Sequence, residues 1–237
     1  LVASEVGFSE VNWKTFAELG WLGICLSETS GGFGGSVLET MILMEEFGKG
    51  LVVEPFLETV VLSAGLIDSC GKEKHKKEIL KKVITGEMHL ALAFTEPQSR
   101  FNLADINTEA KQNGDTYLIN GYKSVVMNGP SANKVIVSTR TSGNQTDEEG
   151  ISLFLIDTES KGVTKRNYPT VDGRRASELT LEQVKVPTNS MLGSIGNQSN
   201  SLEEAVDVAT LALCAEAVGI MEVLYKSTVE YAKTREQ

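Results

Sequence analysis

The spacing of the apolar residues changes near His89, and this change restricts the possible folds more than any other feature of the sequence. Before His89, apolar residues recur every three or four positions, which is the period of an α-helix. From His89 to Pro187, short runs with a period of two are typical of β-strands. A long helical pattern returns near Leu202. The sequence therefore predicts an α+β protein in which a helical bundle, an antiparallel β-domain and a second helical segment follow one another.

These segments predict three domains: an N-terminal helical domain at residues 1–88, a middle β-domain at 89–190, and the start of a C-terminal helical domain at 200–237. The last helix is apolar over much of its circumference, and such a helix is expected to be buried. Nothing after Gln237 is left to cover it. We therefore expect either a partner chain or a natural protein that continues, and we favour continuation.

Four helices are predicted before His89. The first follows Ser9, and the second follows Ser36, where Glu39 completes a capping box. A lysine-rich fourth helix is predicted to place His75 on a solvated face. The second helix is predicted to bury one apolar face, which is made of Leu38, Met41, Ile42 and Phe47.

The β-domain is predicted to contain a tight hairpin. Asn113-Gly114 is a strong turn signal because both residues tolerate a positive φ, and it lies between strands expected at residues 108–111 and 116–120. Further strands are expected at 89–94, 135–139, 151–157, 163–166 and 178–186.

The composition excludes several classes of partner. The 22 lysines and arginines against 32 aspartates and glutamates give a net charge of −10. This balance argues against a nucleic acid and against an anionic membrane surface, because both require clustered cations. We expect no membrane span, since no run of about 18 apolar residues occurs. The chain shows no charged segment followed by an apolar one at its start, and we expect a cytoplasmic location.

The residue types alone predict no catalytic constellation. Cys25, Cys70 and Cys214 are odd in number and far apart, and we interpret them as buried thiols in a reducing compartment. With only His75 and His89 and no metal-ligand spacing, we expect no metal site. A helical bundle joined to an antiparallel β-domain that opens into a second helical segment forms a junction that is a natural place for a ligand.

Six short motifs stand in a fixed order along nearly the whole chain. In the middle are Thr95-Glu96-Pro97 after a buried strand, Asn120-Gly121-x-Lys123 after the hairpin, and Asn128-Gly129. The outer ones are Ser27-Glu28 with a glycine-rich turn, Val184-Lys-Val-Pro187 after Gly173-Arg-Arg-Ala-Ser177, and Tyr231-x-x-x-Arg235-x-Gln237. Together they resemble the acyl-CoA dehydrogenase family. The segment Val125-Val-Met-Asn-Gly129 looks closest to the branch of the pimeloyl-CoA dehydrogenase small subunit.

The resemblance implies a β-barrel-like middle domain, a C-terminal four-helix bundle, and dimers or tetramers. It implies FAD as the cofactor and an acyl-CoA thioester as the substrate, which is oxidised to the trans-2-enoyl-CoA. A carboxylate removes the α-proton while the β-hydride goes to flavin N5. The small-subunit branch implies either a homo-oligomer or a hetero-oligomer with a larger acyl-CoA dehydrogenase subunit. The alternative is a non-catalytic partner subunit that completes a FAD site on another chain.

The resemblance also assigns site residues one position at a time. The positions that match flavin contacts are Leu92, Phe94, Thr95, Val125, Val126 and Met127, and Arg235 matches the arginine that reaches the FAD pyrophosphate of a neighbouring subunit. Phe101 and Asp207 match positions near the substrate. The usual catalytic glutamate would lie beyond Gln237, and the alternative position of the base is occupied by Ala209.

Three departures from the family pattern point to an unusual protein. Phe101 stands where the family has a ligand-binding serine, Val125 where it has a tryptophan that shields the flavin, and Met127 where it has a threonine near N5. These changes fit an enzyme with a dicarboxylic or bulky acyl group. They fit a non-catalytic subunit equally well.

Overall fold

The first two helices begin where the sequence predicts. The computed structural model describes Ser4 and residues 6–236. Helix α1 (Glu10–Glu18) is capped by Ser9, whose hydroxyl accepts a hydrogen bond of 3.2 Å from the Asn12 amide. Helix α2 (Val37–Gly50) carries the predicted capping box, with the Glu39 carboxylate 2.6 Å from the Ser36 amide. Both caps are local signals, and both predictions are confirmed.

The buried face of α2 differs from the predicted one. Phe47 is buried as expected, but Leu38 and Ile42 are 60% and 57% exposed, and Leu43 and Met44 are buried in their place. The reason is a close contact with the last helix, α6 (Ser199–Thr234).

Two glycines allow α2 and α6 to approach each other. A Cβ atom on Gly48 would lie 2.0 Å from the Glu216 carbonyl oxygen, and one on Gly219 would lie 2.0 Å from the Glu45 carbonyl oxygen. No real Cβ tolerates such distances, so only glycine fits at either position. The contact of the two backbones therefore decides which face of α2 is buried.

The remaining helical segments are short and contain π-helical turns. A π-helix (Leu57–Ala64) continues into α3 (Gly65–Cys70), and α4 (Glu73–His75), a π-helix (Lys76–Leu80) and α5 (Lys81–Ile84) follow. Single 3-10 turns occur at Trp21–Gly23, Glu28–Ser30 and Thr188–Ser190.

His75 is buried, which corrects the prediction of a solvated histidine. It is only 8% exposed because α4 packs against the segment that contains Asn189 and Ser190. Burial lowers the pKa of the His75 imidazole, against a hydrogen bond to the Asn189 backbone.

The middle of the chain forms one eight-stranded sheet. The strands are β1 (Leu90–Ala93), β2 (Glu109–Asn113), β3 (Thr116–Met127), β4 (Lys134–Arg140), β5 (Ile151–Asp157), β6 (Val163–Pro169), β7 (Arg175–Pro187) and β8 (Met191–Leu192). Their order in the sheet is β6-β7-β3-β2-β4-β5-β8, and β1 pairs with β4. All pairs are antiparallel except β1 with β4 and a single pairing of β2 with β4. The α+β fold class and the hairpin at Asn113–Thr116 are confirmed.

One apolar core connects the helices, the sheet and α6. It includes Phe47 from α2, Leu90 from β1 and Ala212 from α6, all of them buried. A second core, which includes Phe154, fills the other side of the sheet. The shared core fixes α6 against the β-domain. The predicted domain boundaries themselves stay predictions.

A buried charge cluster also joins these three parts of the fold. Arg174, in the β6–β7 loop, donates to the carboxylates of Glu58 at 3.2 Å and Glu216 at 2.9 Å. Burial raises the pKa of Glu58, although Arg174 opposes this effect. A single guanidinium therefore links a π-helix, the sheet and α6.

Helix α6 exposes much of its apolar surface. Within the part of the chain that the structure describes, it is the one helix long and apolar enough to cross a membrane, by length and composition only. The sequence prediction considered only unbroken apolar runs, whereas this helix passes the test because few charges interrupt it; the expectation of no membrane span stays a prediction. A helix packed in a core passes it too, and α6 packs on α2. Cys214 on α6 is exposed, whereas Cys25 and Cys70 are partly buried, so the prediction of three buried thiols is wrong at Cys214 and only partly met at the other two.

Candidate active site

A cavity of about 670 Å³ lies between the β-domain and the first turns of α6. Its walls come from the end of β1, the loop that follows it, the end of β3, the β4–β5 loop and α6. The lining residues are Phe94, Thr95, Arg100, Phe101, Asn102, Leu103, Ala104, Val125, Glu148, Ser199, Glu203, Val206 and Asp207. The cavity is large enough for a small-molecule ligand and is mixed in polarity.

A β-bulge in β3 forms one wall of this cavity. The pairing with β7 shifts its register between Lys123 and Val126, which leaves Val125 as an extra residue. Val125 has φ of 52°, a left-handed conformation that is uncommon for a β-branched residue. The bulge directs Val125 towards the cavity, where its side chain is half exposed.

Hydrogen bonds hold the bulge against the end of β1. The Ser124 amide donates to the Thr95 carbonyl oxygen at 2.9 Å. Beyond the bulge, the buried Asn128 side chain donates to the Leu90 carbonyl oxygen at 3.1 Å and to the Thr59 hydroxyl at 3.2 Å. Asn128 therefore connects β3 with β1 and with a helix, and the strained backbone at Val125 is fixed from both sides.

A buried ion pair lies next to Thr95. The Lys123 ammonium is fully buried and lies 2.7 Å from the Glu96 carboxylate and 2.9 Å from the Ser138 hydroxyl. Glu96 also accepts from the backbone amides of Asn107 at 2.8 Å and Thr108 at 3.0 Å. The pair anchors the turn after β1 from which Thr95 reaches the cavity.

The surroundings of this pair lower the pKa of both groups. Burial by itself would raise the pKa of Glu96, but the Lys123 ammonium and the hydrogen bonds outweigh it and lower the pKa to about 2. Burial lowers the pKa of Lys123 to about 8, against the attraction of Glu96. The two motifs that contain Glu96 and Lys123 thus serve a structural purpose, and their pairing could not be predicted from the sequence.

Helix α6 contributes two carboxylates to the cavity. Glu203 and Asp207 are four residues apart and therefore share one face of the helix. Glu148 comes from the β4–β5 loop, and Arg100 is the one cation among the lining residues that the structure describes. Sequence reasoning missed both glutamates. The spacing from Asp207 could have identified Glu203, whereas nothing in the sequence places Glu148.

Five of the predicted site residues meet at this cavity: Phe94, Thr95, Phe101, Val125 and Asp207. Phe101 is almost fully exposed at its edge. Their assigned roles stay predictions, but their meeting supports the interpretation that they form one site.

The other predicted residues lie elsewhere. Leu92 is buried in the helical core, two residues before Phe94 on the same face of β1. Val126 is buried in the sheet core, because neighbouring residues of a strand point to opposite faces and Val125 faces the cavity. Met127 pairs with Ala176 and does not line the cavity. Ala209 is buried in the helical core and is not among the residues that line the cavity.

Arg235 is also distant from the cavity. It follows the last turn of α6, roughly 40 Å along the helix axis from Asp207 at about 1.5 Å per residue. Its guanidinium lies 5.9 Å from the centre of the Tyr231 ring. No group of three histidines, cysteines or carboxylates able to hold a metal ion occurs among Ser4 and residues 6–236.

Comparisons with known proteins agree with this fold. The family model for the N-terminal domain of acyl-CoA dehydrogenases matches residues 3–87, and the model for the middle domain matches residues 91–184. The chain is 31% identical over 251 residues to the short-chain specific acyl-CoA dehydrogenase of Clostridium acetobutylicum, a match that covers 100% of this chain and 64% of that protein.

Two solved structures share the fold. Butyryl-CoA dehydrogenase of Megasphaera elsdenii superimposes with a TM-score of 0.88 at 29% identity, over 97% of this chain and 62% of that one. A chain of the ChsE4-ChsE5 complex of Mycobacterium tuberculosis gives a TM-score of 0.86 at 25% identity, over 100% of this chain and 61% of that one. This chain thus spans less than two thirds of these proteins. Both family models and the shared fold confirm what the motifs predict: the chain belongs to the acyl-CoA dehydrogenase family.

Proposed function

We propose that this chain is part of an FAD-dependent acyl-CoA dehydrogenase that oxidises an acyl-CoA thioester to the trans-2-enoyl-CoA, in fatty acid metabolism. The observation that supports this most is the cavity where Thr95 and Val125, at flavin-contact positions, meet Phe101 and Asp207, at substrate positions. We propose a cytoplasmic location for the protein, as expected from the sequence.

The residues at this cavity offer a flavin the backbone of the bulge and one side-chain hydroxyl. The bulge at Val125 presents an extra residue outside the sheet ladder. Among the described residues, the Thr95 hydroxyl has no hydrogen-bond partner and is free to donate to a ligand. When bound, FAD supplies the acceptor for the hydride that leaves the β-carbon.

The residues of this chain would bind and orient the acyl group. Phe94, Leu103 and Val206 offer apolar contacts to the alkyl part and exclude water from it. The α-proton needs a carboxylate base, and Ala209 does not supply one. We place the base outside residues 1–237, as the family resemblance implies.

The charges that line the cavity favour one of the two proposed classes of acyl group. Glu148, Glu203 and Asp207 outnumber Arg100, so a second carboxylate on the substrate would be repelled. Of the two substrate classes that fit the sequence, we therefore favour a bulky, uncharged acyl group over a dicarboxylic one.

A second candidate is a non-catalytic partner subunit. It is supported by Val125 and Met127, which lack the side chains that the family uses at the flavin. The related chain of the ChsE4-ChsE5 complex belongs to a two-component assembly. In this role Arg235 would complete a FAD site on a larger subunit, consistent with its distance from this chain's own cavity.

One experiment separates the two candidates. The full-length protein is purified with any partner that accompanies it, and bound flavin is measured by absorbance near about 450 nm, a property of oxidised flavins. Anaerobic addition of acyl-CoA should bleach this band if the protein is the enzyme. Flavin that appears only with a larger partner chain supports the second candidate, and a full-length protein with no flavin under either condition refutes both.

A further inference from the structure

Arg140, the last residue of β4, connects two loops through a single guanidinium. The side chain donates to four backbone carbonyl oxygens, at 2.8 Å to Asp147, 2.6 Å to Glu149, 2.7 Å to Ala104 and 2.9 Å to Gln145. Arg140 is only 7% exposed. The pairing of β4 with β5 uses backbone groups, so these four side-chain bonds are additional to the sheet.

Both loops that Arg140 binds form walls of the cavity. Asp147 and Glu149 flank Glu148, which lines the cavity, so their fixed carbonyls determine where the Glu148 side chain begins. Ala104 lines the cavity directly. The same planar group thus holds two neighbouring loops that line the cavity.

Further bonds between the two loops do not involve Arg140. The Ile106 amide donates to the Gln145 carbonyl oxygen at 3.0 Å, and the Gln145 side chain donates to the Asp105 carboxylate at 2.6 Å. The loop ends are closed separately by the Thr141 amide, 2.9 Å from the Gly150 carbonyl oxygen. Removing the guanidinium should therefore loosen the walls without opening the whole loop.

Arginine suits this position and lysine does not. A guanidinium carries five N–H donors in a rigid fork and can bond four carbonyls at once, whereas an ammonium has three donors at one point. Bonds from a charged donor are also stronger than neutral ones.

We propose that Arg140 is a positioning residue for the cavity: it holds Glu148 and the wall at Ala104 in place and so sets which acyl groups are admitted. This inference rests on the proposed function, because acyl-CoA is the ligand by which the effect on the cavity is read. Its structural part does not depend on any ligand.

The test compares Arg140→Met and Arg140→Lys with the wild type in the full-length, FAD-loaded protein with its partner. Arg166→Gln is the matched control, because Arg166 is exposed and pairs only at the surface with Glu178. We expect hydrogen exchange at residues 102–107 and 141–150 to accelerate about tenfold in Arg140→Met without ligand, as expected when local protection is lost. The control should match the wild type.

The second readout is substrate affinity. We expect Arg140→Met to raise KM, or the dissociation constant for acyl-CoA, by about tenfold with a smaller change in kcat, since misplaced walls weaken positioning of the acyl group. The KM or dissociation constant of Arg140→Lys should lie between those of the wild type and Arg140→Met. In a Glu148→Gln background the effect of Arg140→Met should shrink by at least about half, because residues that act through each other are not additive.

The outcomes separate the role of Arg140 in holding the cavity walls from its effect on acyl-CoA binding. Unchanged exchange in Arg140→Met, or unchanged affinity while the wild type binds acyl-CoA, overturns the inference. If Arg140→Met weakens acyl-CoA binding equally in the Glu148→Gln background, Arg140 does not act by positioning Glu148. A wild-type protein that binds no acyl-CoA refutes the proposed function and the substrate part of the inference with it, while the exchange result still decides whether Arg140 holds the walls.

Discussion

Replacing Lys123 by methionine should strongly destabilise the protein, because it leaves the Glu96 carboxylate buried without its cation. Lys123 is fully buried and Glu96 is 2% exposed, so water cannot replace the lost partner. Removing one partner of a buried pair typically costs about 3–5 kcal/mol of unfolding free energy. Methionine has a similar length and is apolar, so the loss reflects the charge rather than a cavity.

The contacts of Glu96 place the expected value at the lower end of this range. The carboxylate keeps hydrogen bonds from two backbone amides and from Gln98 at 2.9 Å, which still compensate part of its charge. Ser138 loses only a donor to its hydroxyl. We therefore expect about 3 kcal/mol, which corresponds to a fall in Tm of roughly 10 °C for a domain of this size.

Urea unfolding followed by far-UV circular dichroism measures this loss. Arg166→Met is the control, since its pair with Glu178 is exposed and should contribute less than about 1 kcal/mol. The double replacement of Lys123 by methionine and Glu96 by leucine should recover much of the stability, because no buried charge then remains. If Lys123→Met costs no more than the surface control, the reasoning from burial is refuted.

The remaining predictions concern acid stability, helix packing and the site. Because the pKa of Glu96 is lowered to about 2 in the folded state, the unfolded chain binds more protons than the folded protein in acid. The contribution of Glu96 to the free energy of unfolding is therefore present above about pH 4.5 and is lost as the pH falls towards 2. Unfolding measured as a function of pH should show a smaller loss of stability in acid for Glu96→Gln than for the wild type. Gly219→Ala should cost about 2–4 kcal/mol in urea unfolding by pushing α6 from α2, while Gly50→Ala, where an added Cβ has room, should stay within about 0.5 kcal/mol; equal effects would contradict the packing argument. Asp207→Asn should tighten binding of a dicarboxylic acyl-CoA about fivefold relative to an uncharged acyl-CoA of equal length, as measured by calorimetry, and an unchanged ratio would show that Asp207 does not face the acyl group. Arg235→Met should lower flavin occupancy of the purified assembly about tenfold or more if Arg235 binds the pyrophosphate, and full occupancy would exclude that role.

Local signals in the sequence were sufficient for the ends of the elements. Ser9 and Ser36 cap helices where the sequence predicts them, and the Asn113-Gly114 turn sets the hairpin register. Each of these features depends on atoms within a few residues of the chain. The order of the motifs was sufficient to predict the family, and the resemblance assigned Thr95 and Val125 to one site, where both line the cavity.

The face of α2, the burial of His75 and the acidic lining of the cavity could not be predicted in this way. Each depends on a segment far away in the chain: α6 for the face of α2, and Asn189 for His75. Glu148 lies at the cavity on a loop whose carbonyls on either side of it are bound by Arg140.

The sequence by itself thus determined the α+β order of the chain, its helix caps, its hairpin and its family, because these follow from local backbone chemistry and from residues in a fixed order. Only the tertiary structure decided that Glu96 pairs with Lys123, that Val125 turns into a bulge at the cavity, and that Arg140 holds two walls of it. The physical reason is that burial, desolvation and the meeting of charges depend on distances in space, and separation along the chain does not specify them.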